Sequence, residues 1–220
     1  MARVALVTGG SRGIGAAISL ALKNAGCAVA ATYAGNDEAA AAFTKETGIK
    51  TYKWNVANYD DSKAGLAQVE ADLGPIDIVV ANAGITRDAP FHKMTPGQWQ
   101  EVIDTNLTGV FNIARAALPS MLNAPLPRNG RFVAVASAAA HHGLPQLAAY
   151  SAAKHGVAGL VKALSAELAD SGVTANAVCP GSTATGMLDA SAAIYGMADR
   201  SEFADQARIG RLIDPDEIAA

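Results

Sequence analysis

Apolar positions along this chain fall into short, nearly continuous runs separated by longer alanine-rich stretches with helical spacing. "RVALVT" (3–8), "AVAATY" (28–33), "TYKWNV" (51–56), "DIVVAN" (77–82), "RFVAVA" (131–136) and "VTANAV" (173–178) read as six strands. Helices are expected over 13–25, 37–47, 59–73, 95–121 and 147–170. Strands without apolar–polar alternation must be covered on both faces, and an intervening helix supplies the crossover that parallel pairing needs. The pattern therefore predicts an α/β fold built as a doubly wound parallel sheet. With no repeat, low-complexity tract or linker, residues 1–220 read as a single domain. "NAPLPRNG" (123–130) reads as a surface connection ahead of the fifth strand.

Composition narrows the class of function. Half of the 220 residues are hydrophobic, 17% are charged and the net charge is −3. Without a basic run, electrostatics offer nothing to nucleic acid or an anionic membrane, so neither is expected as a partner. Cys27 and Cys179 lie in apolar stretches at no metal-ligand spacing; they read as two buried thiols of a reduced compartment, and no metal is expected. The N-terminal "MARVALVTGG" has neither a long h-region nor a cleavage site, and no apolar run reaches transmembrane length. A soluble, cytoplasmic protein is expected.

The first strand runs straight into "TGGSRGIG", where Gly9, Gly13 and Gly15 separate strand from helix. A pyrophosphate needs close backbone approach and the free N–H groups of a helix N-terminus, and this turn offers both. The arrangement is that of a dinucleotide-binding Rossmann fold. The fourth strand ends in "ANAG" (81–84), whose small residues leave room for a ligand over the strand's carboxyl end. NAD-binding proteins usually place a carboxylate at the tip of the second strand, on the ribose 2′-hydroxyl. The tip here, Thr32-Tyr33-Ala34, has none; Asp37 falls later, where it starts a helix, and Arg12 stands in the phosphate loop. This combination favours NADP(H), with NAD(H) still possible.

"LAAYSAAKHG" (147–156) sets Tyr150 and Lys154 one helical turn apart on one face. Taken alone, the pair could be a core-edge tyrosine beside a snorkelling lysine. Its context is ordered: the glycine loop, "NAG", Asn106 in "DTNLTG", Ser137 at the end of the fifth strand, then Tyr150-x-x-x-Lys154. Over essentially the whole chain this resembles the short-chain dehydrogenase/reductase family. The resemblance implies Tyr150 as catalytic acid/base and Ser137 as hydrogen-bond partner of the substrate oxygen. It implies Lys154 as a cation serving both tyrosine and nicotinamide ribose, and Asn106 as anchor of a proton-relay water. It further implies a cofactor site of Gly9, Ser11, Arg12, Gly13, Ile14, Gly15, Tyr33, Asn55, Val56, Asn82, Ala83 and Gly84, with Tyr150 and Lys154. "PGSTAT" adds Pro180, Gly181, Thr183 and Thr185 beside the nicotinamide carboxamide. A free tyrosine titrates near 10. A lysine about 4 Å away in a partly buried site contributes on the order of 4 kcal/mol to the phenolate, enough to lower that value by up to roughly three units.

Within the family, "MARVALVTGGSRGIGAAIS", "TYAGNDEAAAAF", "NAGITRDAPFHKMTPGQW" and "VIDTNLTGVFN" resemble reductases of 3-oxoacyl thioesters. These are the acetoacetyl-CoA reductases of polyhydroxybutyrate synthesis and the 3-oxoacyl-carrier-protein reductases. The run Thr86 to Asp88 after "NAG" belongs to that resemblance; on its own it reads as an exposed polar loop. The implied reaction is NADPH-dependent reduction to an (R)-3-hydroxyacyl thioester. The second half departs. Leu147 stands where these reductases usually carry glutamine, with Gln146 displaced by one, and "TGMLDASAAIYGMADRSEF" is more like general secondary-alcohol dehydrogenases. That activity is the alternative; an inactive cofactor-sensing protein is a weaker one, since tyrosine, lysine and serine are all kept. His141 and His142 read as a solvated loop pair, and Tyr195 and Met197 as part of a lid. Relatives usually continue beyond the closing "DPDEIAA" through one more strand, so the chain reads as C-terminally short, with an exposed sheet edge and family homotetramer packing left open.

Overall fold

The computed structural model describes residues 2–124 and 129–220. Among the described residues, six strands form one parallel sheet: β1 (Val4–Val7), β2 (Ala28–Tyr33), β3 (Lys50–Lys53), β4 (Ile76–Ala81), β5 (Arg131–Val135) and β6 (Thr174–Val178), in the order β3-β2-β1-β4-β5-β6. The described α-helices that connect or follow them are α1 (Gly13–Asn24), α2 (Asp37–Thr47), α3 (Tyr59–Leu73), α4 (Pro96–Ile103), α5 (Gly109–Asn123), α6 (Ala148–Glu167), α7 (Gly186–Tyr195) and α8 (Pro215–Ala219). The strand order reverses between β1 and β4, and a ligand crevice opens at the carboxyl ends there.

Both faces of the sheet are apolar, as the uninterrupted runs require. Along β1, Leu6 packs into a core with Val79, Phe132, Ile113 and Val157, while Val7 faces the opposite core of Val29, Ala31, Phe43 and Val80. The helix ends follow local chemistry. Asn36 and Asn58 cap α2 and α3 by accepting from the N–H groups of Ala39 and Asp61, and Thr95 closes a capping box with Gln98 on α4. Glycine at position 48, in the left-handed region, ends α2.

Three expectations need correction. The third strand ends at Lys53 instead of 56, because the Asn55 side chain accepts from Ala57 N–H and turns the chain out of the sheet. The helix expected over 95–121 is divided by a π turn at Asp104–Thr108 between α4 and α5. Cys27 and Cys179 are free thiols, half-buried rather than buried. Half of the connection at 123–130, residues 125–128, lies outside the described residues. Among the described residues no helix is long and apolar enough to cross a membrane, and no cluster of side chains could hold a metal ion.

Candidate active site

At the crevice the glycine loop is pinned from four sides. Buried Thr8 accepts with its hydroxyl from the N–H groups of Asn82 and Ala83, both at 3.0 Å. The Asn82 amide donates back to the carbonyls of Thr8 and Gly9 at 2.9 and 3.3 Å. Ser19, fully buried, donates to Gly10 carbonyl at 2.9 Å, and Gly10 N–H reaches Thr32 carbonyl at 3.0 Å. Gly9 and Gly13 take φ of +62° and +53°, where a side chain would be strained. A Cβ on Gly15 would lie 2.2 Å from the Gly9 carbonyl oxygen and 2.5 Å from the Asn82 amide nitrogen. Arg12, exposed and extended, is the N-cap of α1 and gives it no side-chain cap. The helix therefore presents its first N–H groups to the crevice, flanked by Ser11 and Ile14, which suits a phosphate. Gly15→Ala is expected to weaken dinucleotide binding more than about tenfold and to cost roughly 1–3 kcal/mol of stability, since backbone atoms must move apart. Fluorescence titration with NADPH and urea unfolding measure the two effects.

The opposite wall brings the remaining expected residues together. Ser137, two residues beyond β5, is extended and accepts from Ala139 N–H at 3.1 Å. Ala138 N–H donates to Pro180 carbonyl at 2.8 Å, tying the serine turn to the 180–185 loop. In that loop Thr183 is buried and donates to Gly181 carbonyl. The Thr185 methyl would lie 3.3 Å from a Cβ on Gly13, so this loop stands over the glycine turn. Lys154, 3% exposed, donates to Val135 carbonyl at 2.7 Å and lies 5.5 Å from the centroid of the Tyr150 ring. Asn106 is fully buried at the π turn and clamps Ile85: its oxygen accepts from Ile85 N–H and its amide donates to Ile85 carbonyl, both at 2.8 Å. A Cβ on Gly84 would sit 3.2 Å from that amide oxygen. Asn55 is exposed and Val56 buried just beyond β3, the Val56 carbonyl accepting from Asn112 of α5 at 2.9 Å.

The electrostatics differ from the sequence expectation. Burial pushes Tyr150 above its ordinary value; the Ser137 hydroxyl offsets part of this and Asp88 adds to the rise. Lys154 donates to the Val135 carbonyl and lies over the ring, so its ammonium is held beside the phenol by the β5 backbone. The cost of burial falls on the lysine itself, whose pKa is drawn down to about 8.

The family described as short chain dehydrogenase matches residues 3–195. The chain belongs to this short chain dehydrogenase family. It is an oxidoreductase acting on CH–OH/C=O groups. An acetoacetyl-CoA reductase of Paracoccus denitrificans is 55% identical over 219 residues, covering 100% of this chain and 88% of the relative. A 3-oxoacyl-[acyl-carrier-protein] reductase of Staphylococcus aureus is 44% identical over 195 residues, 86% of this chain and 78% of that one. Among solved structures, a single-substitution variant of the actinorhodin polyketide ketoreductase with NADPH superposes with a TM-score of 0.93 at 34% identity, covering 99% of this chain and 87% of the other.

In this short chain dehydrogenase several residues that shape the crevice escape a reading of the sequence. Thr8 and Ser19 hold the glycine loop, yet each reads as an ordinary small polar residue until the fold buries it. Asp88 is not part of an exposed loop. It is 8% exposed, accepts from Ser191 of α7 at 2.8 Å, and keeps its other oxygen without a protein partner among the described residues. Burial raises its pKa. Gln146 adopts φ +62°, and its carbonyl accepts from Ala89 N–H beside Asp88. Tyr195 donates to Pro145 carbonyl and packs edge-on against Phe203, so α7 is fastened across this end of the crevice. His141 and His142 are exposed.

Proposed function

We propose that this enzyme reduces a 3-oxoacyl thioester of the acetoacetyl-CoA type to the (R)-3-hydroxyacyl thioester, using NADPH. The full-length likeness to acetoacetyl-CoA reductases carries the substrate class. Reduction needs a proton donor at the substrate oxygen, and Tyr150, whose pKa lies above its ordinary value near 10, holds its proton near neutrality. When bound, NADPH supplies the hydride.

The chain's own residues do the rest. The glycine loop, the α1 N-terminus, Asn82 and Thr185 fit a dinucleotide, because a Cβ at Gly15 or Gly13 would intrude on the cradle they form. Tyr150 gives its proton to the substrate oxygen, Ser137 holds that oxygen, and Lys154 supplies a fixed positive charge over the ring. Asn106 positions the Ile85 backbone on the crevice floor. The departures at Leu147 and in α7 favour a second reading, a secondary-alcohol dehydrogenase of the same family. The test is product chirality. Incubation with acetoacetyl-CoA and NADPH, followed by hydrolysis and chiral chromatography, is expected to give only (R)-3-hydroxybutyrate. The S product, or none, would contradict the proposal.

A further inference from the structure

The tip of β2 is less free of acidic charge than the sequence suggests. Asp37 starts α2, but its carboxylate turns back to β3, where Lys53 Nζ lies 2.8 Å from Oδ2. Tyr33 and Lys53 are direct partners in the β2–β3 ladder, so the cation is fixed at the strand tip by the sheet itself. Lys53 and Tyr33 hold the Asp37 carboxyl below its ordinary value, so it is ionised at neutral pH. This position lies about 20 residues beyond the glycine loop, where a dinucleotide's adenosine ribose is read. Arg12, on the loop, forms no ion pair among the described residues.

We propose that Lys53 sets cofactor choice by masking Asp37. The ion pair removes from the ribose site a negative charge that would repel a 2′-phosphate and would accept the hydroxyls of an unphosphorylated ribose. This rests on the NADPH reading above and adds its cause: without Lys53, the chain would carry the acidic residue of an NAD site. A 2′-phosphate carries nearly two negative charges, and an unmasked carboxylate within a Debye length of it acts against binding. Both side chains are more than half exposed, so the effect should weaken with salt.

The test measures equilibrium binding by calorimetry, with adenosine 2′,5′-bisphosphate and adenosine 5′-monophosphate, which differ only in the 2′-phosphate. The wild type is expected to prefer the bisphosphate. Lys53→Met should weaken bisphosphate binding about tenfold and leave the monophosphate within about twofold, the loss shrinking as salt rises. Lys53→Met combined with Asp37→Asn should recover bisphosphate affinity to within about threefold of wild type, because no charge is left to mask. A wild type without preference would overturn the NADPH reading and this inference together. A preference that Lys53→Met leaves unchanged would overturn the inference alone. Failure of the double variant to recover would also overturn it, showing that Lys53 meets the phosphate directly.

Discussion

Tyr150→Phe is expected to lower kcat by about 10²–10⁴-fold while leaving the Kd for NADPH within about twofold. The substitution removes one hydroxyl and keeps the ring over which Lys154 lies. The glycine loop and the 180–185 loop, which form the dinucleotide cradle, are held by Thr8, Ser19, Asn82 and the Ala138 backbone through contacts that do not involve the phenol. Stopped-flow turnover and a fluorescence titration separate the two readouts. A variant retaining more than half of wild-type turnover would remove Tyr150 from the chemistry.

Lys154→Met should show the opposite signs for activity and stability. Turnover is expected to fall at least about 100-fold with loss of the buried charge. The cofactor-free protein should nevertheless become more stable at pH 7. In the folded state the lysine titrates near 8. Unfolded, it titrates near 10.4. Between these values the unfolded chain binds more protons, so wild-type stability rises with pH across that window. Below about pH 8 both states are protonated and the full penalty, about 3 kcal/mol, is present. Methionine of similar shape removes it, less about 1 kcal/mol for leaving the Val135 carbonyl unpaired. Urea unfolding should therefore show a gain of roughly 1–3 kcal/mol at pH 7 that disappears as the pH approaches 10.5. A variant less stable than wild type at pH 7 would mean that the Val135 hydrogen bond outweighs the cost of burying the charge.

The opposite signs at one residue also explain what the sequence could disclose. Tyr150 and Lys154 are visible because helical spacing fixes their side-by-side position whatever surrounds them. Their electrostatics are not, because the direction of the tyrosine shift depends on burial in the folded crevice, and Lys154 donates to Val135, a residue 19 positions away. The strands are legible for a similar reason: apolar runs such as "DIVVAN" can only lie in a sheet covered on both sides. The π turn at Asp104–Thr108 is not, since "DTNLT" has ordinary helix spacing and only the Asn106 clamp on Ile85 reveals what the bulge positions. Asp37 is the sharpest case. Its place in the chain says helix start, and it does start α2, yet the pairing of β2 with β3 brings Lys53 to its carboxylate. Asp88 likewise meets Ser191 across 103 residues, a contact no local pattern encodes.

The central claim is that this crevice reduces a 3-oxoacyl thioester, with the thioester handle contributing binding energy that is used at the reacting carbonyl. Its most direct test is steady-state NADPH oxidation with acetoacetyl-CoA and with a simple ketone lacking the CoA handle, such as butan-2-one. A kcat/KM at least about 100-fold higher for acetoacetyl-CoA is the expected result. Equal values for the two substrates would contradict the account and assign the enzyme to the secondary-alcohol dehydrogenases.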